Sequence, residues 1–307
     1  MTHNRRERRY LVTGATGSQG GAVARLLAGR GDDVRGVARQ PGRSGAPETS
    51  LITTAAADLG NADDLRKAFD GVTHAAVVMP LEYNHETVTR YATNIAQAAR
   101  EAGVERLVYN TNTPLPDTIT GFAGFETRRA AEEILLDSGV TTVVIRPPVY
   151  LDNLFSPWNG PALVNDGVLA YPLPADQRVA WMSHQDLAVV VAAALEAEHL
   201  GGRVLNVGGA EILTGPELAD RFSRGLEREV SYLPLEVDRF EAGLGEVVGA
   251  TAAAGVAGIY HHVATGTAAH LLAPEPADVE RELGVRLTPA LEWITGQPWQ
   301  TWAGTAN

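Results

Sequence analysis

No cysteine occurs among the 307 residues. That excludes disulfides, thiolate nucleophiles and cysteine-ligated zinc or iron–sulfur centres. Lysine is nearly absent too: of 25 basic residues only Lys67 is a lysine, in the short amphipathic run Asp63–Phe69. A Schiff-base lysine, or one that lowers the pKa of a neighbouring tyrosine, is therefore not expected. No stretch approaches the roughly 18 uninterrupted apolar residues of a membrane span. Met1–Arg9 is polar and arginine-rich, without the apolar centre of a secretory signal. A cytoplasmic location and no membrane partner follow from these absences. Positive charge is scarce, with a net charge of −12. This argues against nucleic-acid binding, which relies on neutralising phosphates. Arg5-Arg6-Glu7-Arg8-Arg9 is the exception and reads as a solvated leader.

What is present is the composition of a globular enzyme-sized chain, 45% apolar and 20% charged. Near its start, Tyr10–Thr13 is a β-branched strand that runs into Gly14-Ala-Thr16-Gly17-Ser18-Gln19-Gly20 and then a helix. Three glycines at three-residue spacing allow a tight turn and close backbone approach. The helix start then offers free N–H groups and partial positive charge to a pyrophosphate. Flanking strand and helix are the context that gives a glycine pattern its meaning.

Short apolar runs alternate with helical patterns through the first half, which predicts βαβ units and a parallel sheet. Strands fit Tyr10–Thr13, Asp33–Ala38, Leu51–Thr54, His74–Val78, Arg106–Asn110 and Thr141–Arg146. Helices fit Asp63–Phe69, His85–Ala102 and Glu126–Asp137. The alternation stops after Arg146-Pro147-Pro148, where proline and glycine become frequent. Later elements are mixed: helices at His184–Glu198, Gly215–Leu226 and Leu235–Gly243, and a strand at Arg203–Val207. The fold expected is α/β, a Rossmann-type doubly wound parallel sheet with a smaller mixed α/β C-terminal lobe. Residues 1–150 would bind NADP(H) and 151–307 would bind substrate, with some return of chain to the first domain.

NADP(H) is the cofactor expected because strand two ends at Arg39, with Arg43 close behind, where an NAD enzyme places a carboxylate for the ribose 2′-hydroxyl. A guanidinium binds phosphate bidentately. Asp58-Leu59, after strand three, suits the adenine amino group; Asp58 alternatively caps the Asp63 helix.

Several motifs together resemble the NmrA-like group of atypical short-chain dehydrogenases/reductases. They are Leu11-Val-Thr-Gly-Ala-Thr-Gly-Ser-Gln-Gly20, Arg39, Asp58-Leu59, Asn94–Val108, Ile145-Arg-Pro-Pro-Val-Tyr-Leu-Asp-Asn153 and Trp181-Met-Ser-His-Gln-Asp-Leu-Ala188. The resemblance implies the fold and the cofactor but leaves the reaction open, since the group holds quinone and dye reductases as well as redox-sensing regulators. The parent superfamily carries a Tyr-x-x-x-Lys pair; here those positions are Gly124 and Arg128. The phenolic acid is missing and the cation is a guanidinium, which does not shuttle protons. Arg128 would anchor the nicotinamide ribose or a developing anion. Alternatively it solvates a helix face and pairs with Glu132 at i+4.

Other candidates follow from position. Thr111, Asn112 and Thr113 follow strand five, where the superfamily places a substrate-orienting serine, with turn capping as the alternative. Met79 and Pro80 would flank the nicotinamide, and Asn153 would bond cofactor or loop backbone. Tyr83 and Tyr150 are the hydroxyl donors, or else aromatic packing. Ser183-His-Gln-Asp186 has the spacing of a capping box, with His184 a lesser site candidate. His261, His262 and His270 lack metal-ligand spacing, so no metal is expected. The reading favours an NADP(H)-dependent oxidoreductase reducing a small apolar conjugated acceptor of the quinone or enone type. Its partners would be a small-molecule substrate and a second copy of the chain. The alternatives are an NADP(H)-binding redox sensor without turnover, and a cyclase or isomerase that uses the fold without redox chemistry.

Overall fold

The computed structural model of the chain describes residues 8–39, 52–266 and 269–304. The leader up to Glu7, Arg43 and Leu51 lie outside these residues. The first elements are β1 (Arg9–Thr13), α1 (Ser18–Gly29), β2 (Asp33–Ala38), β3 (Ile52–Ala56), α2 (Ala62–Phe69), β4 (His74–Val78) and α3 (His85–Ala102). Then come β5 (Arg106–Asn110), α4 (Ala123–Leu136), β6 (Thr142–Arg146), β7 (Val168–Tyr171), α5 (His184–Glu196), β8 (Val204–Asn206) and α6 (Gly215–Gly225). The chain ends through β9 (Ser231–Pro234), α7 (Val237–Val248), α8 (Ala250–Ala264), α9 (Pro276–Leu283) and α10 (Ala290–Thr295).

The main sheet has the order β3-β2-β1-β4-β5-β6-β8. The pairs β1–β2, β2–β3, β1–β4, β4–β5 and β5–β6 are all parallel. Successive strand residues face opposite sides of a sheet, and the packing follows that alternation. Leu11, Ala75, Val77, Leu107 and Tyr109 pack with Leu65 of α2, Val88 and Ile95 of α3, and Leu135 of α4. Val12, Ala76, Val108 and Asn110 line the other face with Val23 of α1 and Leu187 and Val191 of α5. A strand buried on both faces reads as a continuous apolar run, which is why these strands stand out in the sequence.

Helix ends follow local chemistry. Asn61 caps α2 by accepting from the N–H groups of Asp63 and Asp64 at 3.0 and 3.2 Å. Two acidic residues sit in its first turn and two basic residues in its last, each favourable to the helix dipole. Asn84 caps α3 through the Thr87 N–H at 2.9 Å, and Gly103 ends it at φ +70°.

The chain separates into two compact units. The first comprises Met1–Asn112, Glu126–Arg146 and Leu187–Leu205; the second comprises Thr113–Phe125, Pro147–Asp186 and Asn206–Asn307. After residue 150 the segment Leu187–Leu205, which carries most of α5 and the start of β8, belongs with the first unit. The second unit has its own core. Phe155 and Phe222 meet Trp299 edge-on at ring separations of 5.0 and 5.4 Å, and Leu163, Leu218, Val263 and Trp293 pack around them. Its β7 and β9 form a parallel two-stranded sheet.

Candidate functional site

In an open parallel sheet, ligands bind beyond the carboxyl ends of the strands where strand order reverses. Here the reversal lies between β1 and β4. The paired ladder of these strands ends at Val12–Ala76. Beyond it the Thr13 side chain bridges the gap: its hydroxyl donates to the Val78 carbonyl at 2.9 Å and accepts from the Val78 N–H at 2.8 Å.

The glycine loop leaves β1 at this point. Gly14 takes φ +62°, and a Cβ there would lie 3.1 Å from Val78 Cγ1. A Cβ on Gly20 would lie 2.4 Å from the Thr13 carbonyl oxygen and 2.5 Å from that of Gly14. Glycine is thus required for α1 to start against β1. Gly17 is exposed and is the N-cap of α1, with no side-chain cap and no acidic residue in the first turn. The open N–H groups and uncompensated dipole of that turn fit a pyrophosphate. Thr16 is half-buried and Ser18 exposed on the same loop.

Gln19 is fixed from the sheet. Asn110 Nδ2 donates to Gln19 Oε1 at 2.7 Å, Gln19 Nε2 donates to Asn112 Oδ1, and Asn112 N–H donates to Asn110 Oδ1 at 2.9 Å. Asn112 holds φ +71°, a conformation asparagine tolerates better than most residues. Asn110 was not singled out from the sequence. Its position as the last residue of a buried strand, on the α1 side, was the available signal.

The loop after β4 carries Met79 (2% exposed), Pro80 and Tyr83. Arg128 of α4 is 1% exposed and donates through Nη1 to the Glu82 carbonyl and through Nη2 to the Pro80 carbonyl, both at 2.9 Å. Its guanidinium carbon lies 4.9 Å from the centroid of the Tyr83 ring. Glu82 Oε1 accepts from the N–H groups of Tyr83 and Asn84 at 2.9 and 2.8 Å. The solvated helix face expected for Arg128 is therefore corrected. Its expected partner, Glu132, bonds instead to Arg146, with Nε to Oε2 at 2.9 Å. Burial raises the Tyr83 phenol above its ordinary 10.0, against the pull of Arg128.

The remaining expected residues fall as follows. Arg39 is exposed, one residue beyond β2. Asp58 does not cap α2; its Oδ1 accepts from the Gly60 N–H at 2.8 Å in the preceding turn. Leu59 packs against the first unit's core, and its carbonyl accepts from Asn94 Nδ2 at 2.9 Å. Thr111 is fully buried, and its hydroxyl donates to the Ile145 carbonyl at 3.2 Å, joining β5 to β6.

In the second unit, Asn153 Nδ2 donates to the Tyr171 hydroxyl at 3.0 Å, and that hydroxyl lies 2.7 Å from the Tyr260 hydroxyl. Burial pushes Tyr171 up to about 12 despite those bonds. Tyr150 is 5% exposed, with its ring centroid 4.7 Å from that of His184. His184 Nδ1 lies 3.2 Å from Asp152 Oδ1, and the His184 N–H donates to Asp152 Oδ2 at 2.8 Å. Ser183 Oγ accepts from the Asp186 N–H at 2.9 Å, which gives half of the expected capping box. The Asp186 carboxylate turns instead to the Thr288 hydroxyl, at 2.8 Å. His261 lies 3.5 Å from Asp238 and 3.7 Å from Glu241, carboxylates supplied by α7 that helix spacing alone could not reveal. No group of three or more potential metal ligands occurs among the described residues.

The NmrA-like family profile matches residues 6–280. The chain belongs to the NmrA-like family. Over 240 residues it is 35% identical to the (4-alkanoyl-5-oxo-2,5-dihydrofuran-3-yl)methyl phosphate reductase of Streptomyces griseus, covering 76% of this chain and 79% of that one. In fold it resembles an NADPH-dependent quinone oxidoreductase from Escherichia coli, solved with NADPH, with a TM-score of 0.72 at 23% identity over 93% of this chain and 98% of the other. It equally resembles the negative transcriptional regulator NmrA, solved with NADP, with a TM-score of 0.76 at 17% identity over 96% and 100% of the two chains. The family thus contains both reductases and a regulator on one fold. No helix among the described residues is long and apolar enough to cross a membrane.

Proposed function

We propose that this NmrA-like chain is an NADP(H)-dependent reductase of small apolar conjugated acceptors, of the quinone or enone type. The observation that carries the reading is the uncapped, glycine-built start of α1 at the switch point of the sheet. Its first-turn N–H groups hold the pyrophosphate, and Gln19 is kept in place by Asn110 and Asn112. Arg39 takes the 2′-phosphate, Asp58 and Leu59 border the adenine, and Met79 and Pro80 border the nicotinamide. When bound, the cofactor supplies a hydride, that is, two electrons and one hydrogen. Arg128 holds the Met79–Asn84 loop through two carbonyls, so it acts on the site as a positioning residue. Asn153 belongs to the Tyr171–Tyr260 network rather than to the cofactor set.

The acceptor class follows from what the chain lacks. No tyrosine stands at Gly124, and the phenols of Tyr83 and Tyr171 are raised by burial. Conjugated acceptors spread developing charge and need less from a strong acid than simple ketones do. The substrate named for the Streptomyces griseus relative is of this kind: its ring double bond is conjugated with two carbonyls. The test is steady-state NADPH oxidation across quinones, activated enones and simple ketones. Turnover with the first two classes and not the third is expected. Tight NADPH binding without oxidation by any acceptor overturns the reading in favour of a sensor or a non-redox enzyme.

A further inference from the structure

We propose that Asn110 is a positioning residue that sets the donor ends of Gln19 and Asn112 for the nicotinamide half of the cofactor, an inference that rests on the cofactor placement proposed above. The three residues form a closed ring of hydrogen bonds within the first unit. Asn110 Nδ2 donates to Gln19 Oε1 at 2.7 Å, Gln19 Nε2 donates to Asn112 Oδ1, and the Asn112 N–H donates to Asn110 Oδ1 at 2.9 Å. A carboxamide can turn over and exchange its oxygen for its nitrogen, whereas a backbone N–H only donates. The Asn112 N–H therefore fixes the oxygen of Asn110, which leaves Nδ2 to face Gln19. That holds Gln19 with Oε1 toward Asn110 and Nε2 toward Asn112. The oxygen of Asn112 is then engaged, and its Nδ2 stands on the outside of the ring. One backbone group thus sets all three amides.

Two observations separate this ring from ordinary packing. The first is where it is buried. Asn110 is 5% exposed, and with Gln19 and Thr13 it supplies the polar lining of a cavity otherwise walled by apolar side chains, among them Val12, Val23, Val108 and Val191. A leucine at 110 would continue that apolar wall without the penalty of burying a carboxamide. The second is the backbone of Asn112 at φ +71°, in the left-handed region that disfavours residues with a Cβ. Glycine would adopt it freely but would leave Gln19 Nε2 without that acceptor. Strain of this kind collects at binding and catalytic sites.

The place of the ring in the sheet says which half of the cofactor it serves. β5 lies on the β4 side of the reversal, and the ladder pairs Asn110 with Val78, the residue before Met79. In sheets of this topology the strands on the β2 side take the adenosine half of a dinucleotide, so those on the β4 side take the nicotinamide half. The phosphate of that half only accepts hydrogen bonds. Amide N–H groups hold it, and carboxamide oxygens turned the same way would repel it.

The experiment uses the full chain with Asn110→Leu, Asn112→Gly and Gln19→Met. Each is titrated with NADPH and with adenosine 2′,5′-bisphosphate, which carries the adenosine half and no nicotinamide nucleotide. NADPH affinity is expected to fall by about ten- to a hundredfold in all three variants, the range for one hydrogen bond to a charged group. Affinity for the bisphosphate stays near wild type. Asn112→Gly keeps its thermal midpoint because glycine takes the left-handed backbone without strain, so it reports should Asn110→Leu fold poorly. In the cofactor-free protein the Gln19 side-chain amide resonances, assigned by their loss in Gln19→Met, move to the position of a solvated glutamine in Asn110→Leu. Wild-type NADPH affinity in the folded variants overturns the inference and leaves the cofactor placement standing. An equal loss for both ligands also overturns it, since it marks a structural role alone. A wild-type protein that binds neither ligand overturns the cofactor placement as well.

Discussion

The guanidinium of Arg128 sits 4.9 Å from the Tyr83 ring centroid while both of its Nη groups bond carbonyls of the loop that carries that tyrosine. Cation and ring attract through the ring's quadrupole, and the planar fork spans Pro80 and Glu82 at once, as an ammonium could not. This makes the loop after β4 a rigid part of the first unit. It also gives a physical reason for arginine at a position where the superfamily has lysine.

Arg128→Ala is expected to destabilise the protein by about 2–4 kcal/mol, since it removes two hydrogen bonds to part-buried carbonyls, of which that of Pro80 keeps only the Glu82 N–H, and opens a cavity where a buried side chain stood. Arg128→Lys recovers only part of the loss. Urea unfolding of the cofactor-free variants measures it. Stability unchanged in Arg128→Ala would return Arg128 to a direct role on cofactor or substrate.

Two glycines of one loop are expected to behave differently. Gly17 is exposed in extended backbone at φ −91°, and a Cβ would stand 3.3 Å from the Gly14 oxygen, so Gly17→Val folds and loses NADPH binding. Gly20→Ala drives a Cβ to 2.4 Å from the Thr13 carbonyl and costs about 1–3 kcal/mol of stability whatever happens to the cofactor. Thermal unfolding together with NADPH titration separates the two. A folded Gly17→Val that binds NADPH as wild type does would remove this loop as the phosphate site.

The first unit's strands and the glycine loop were legible because burial on both faces writes itself as apolar runs, and the turn between them needs glycine. Strands β2, β4 and β5 fall on their expected residues, as does α3. The second unit was less legible. Its α8 runs through Ala250–Ala264, whose alanines and glycines give little periodic contrast, and β7 and β9 are only four residues each. At the site, local spacing misled where distant partners decide. Arg128 bonds residues 46 and 48 positions away, and Glu132 bonds Arg146, so the i+4 pair between them never forms. The loop's glycines follow from local geometry, whereas the ties of Gln19 to Asn110 and of Asp152 to His184 depend on how segments return.

Stability should fall on mild acidification, in part through His74. Its imidazole is 5% exposed, and burial first, then the Arg8 cation, hold it below its ordinary 6.5. The unfolded chain then binds the proton more tightly than the folded one. Stability rises with pH across the window between the folded value and 6.5, and is lost as pH falls through it. His74→Gln should show a smaller drop in melting temperature between about pH 7.5 and about pH 5.5, as read by calorimetry. An equal drop in both proteins would assign the acid sensitivity elsewhere.

Cofactor choice rests on Arg39. The residue directly after β2 meets the adenosine ribose in sheets of this topology, and there a carboxylate would repel a 2′-phosphate. Arg39 is exposed, so its guanidinium is hydrated before binding and screened by salt. Its contribution is accordingly modest and falls as ionic strength rises. NADPH is expected to bind at least about tenfold more tightly than NADH, a difference of about 1.4 kcal/mol. Arg39→Ala should bring the two affinities together by weakening NADPH and leaving NADH almost unchanged, because only the phosphate loses a partner. Fluorescence titrations of both cofactors at low and high salt supply the four affinities needed for each protein. Equal NADPH and NADH affinities in wild type would sink the assignment. A preference that survives in Arg39→Ala would move the 2′-phosphate contact to another residue.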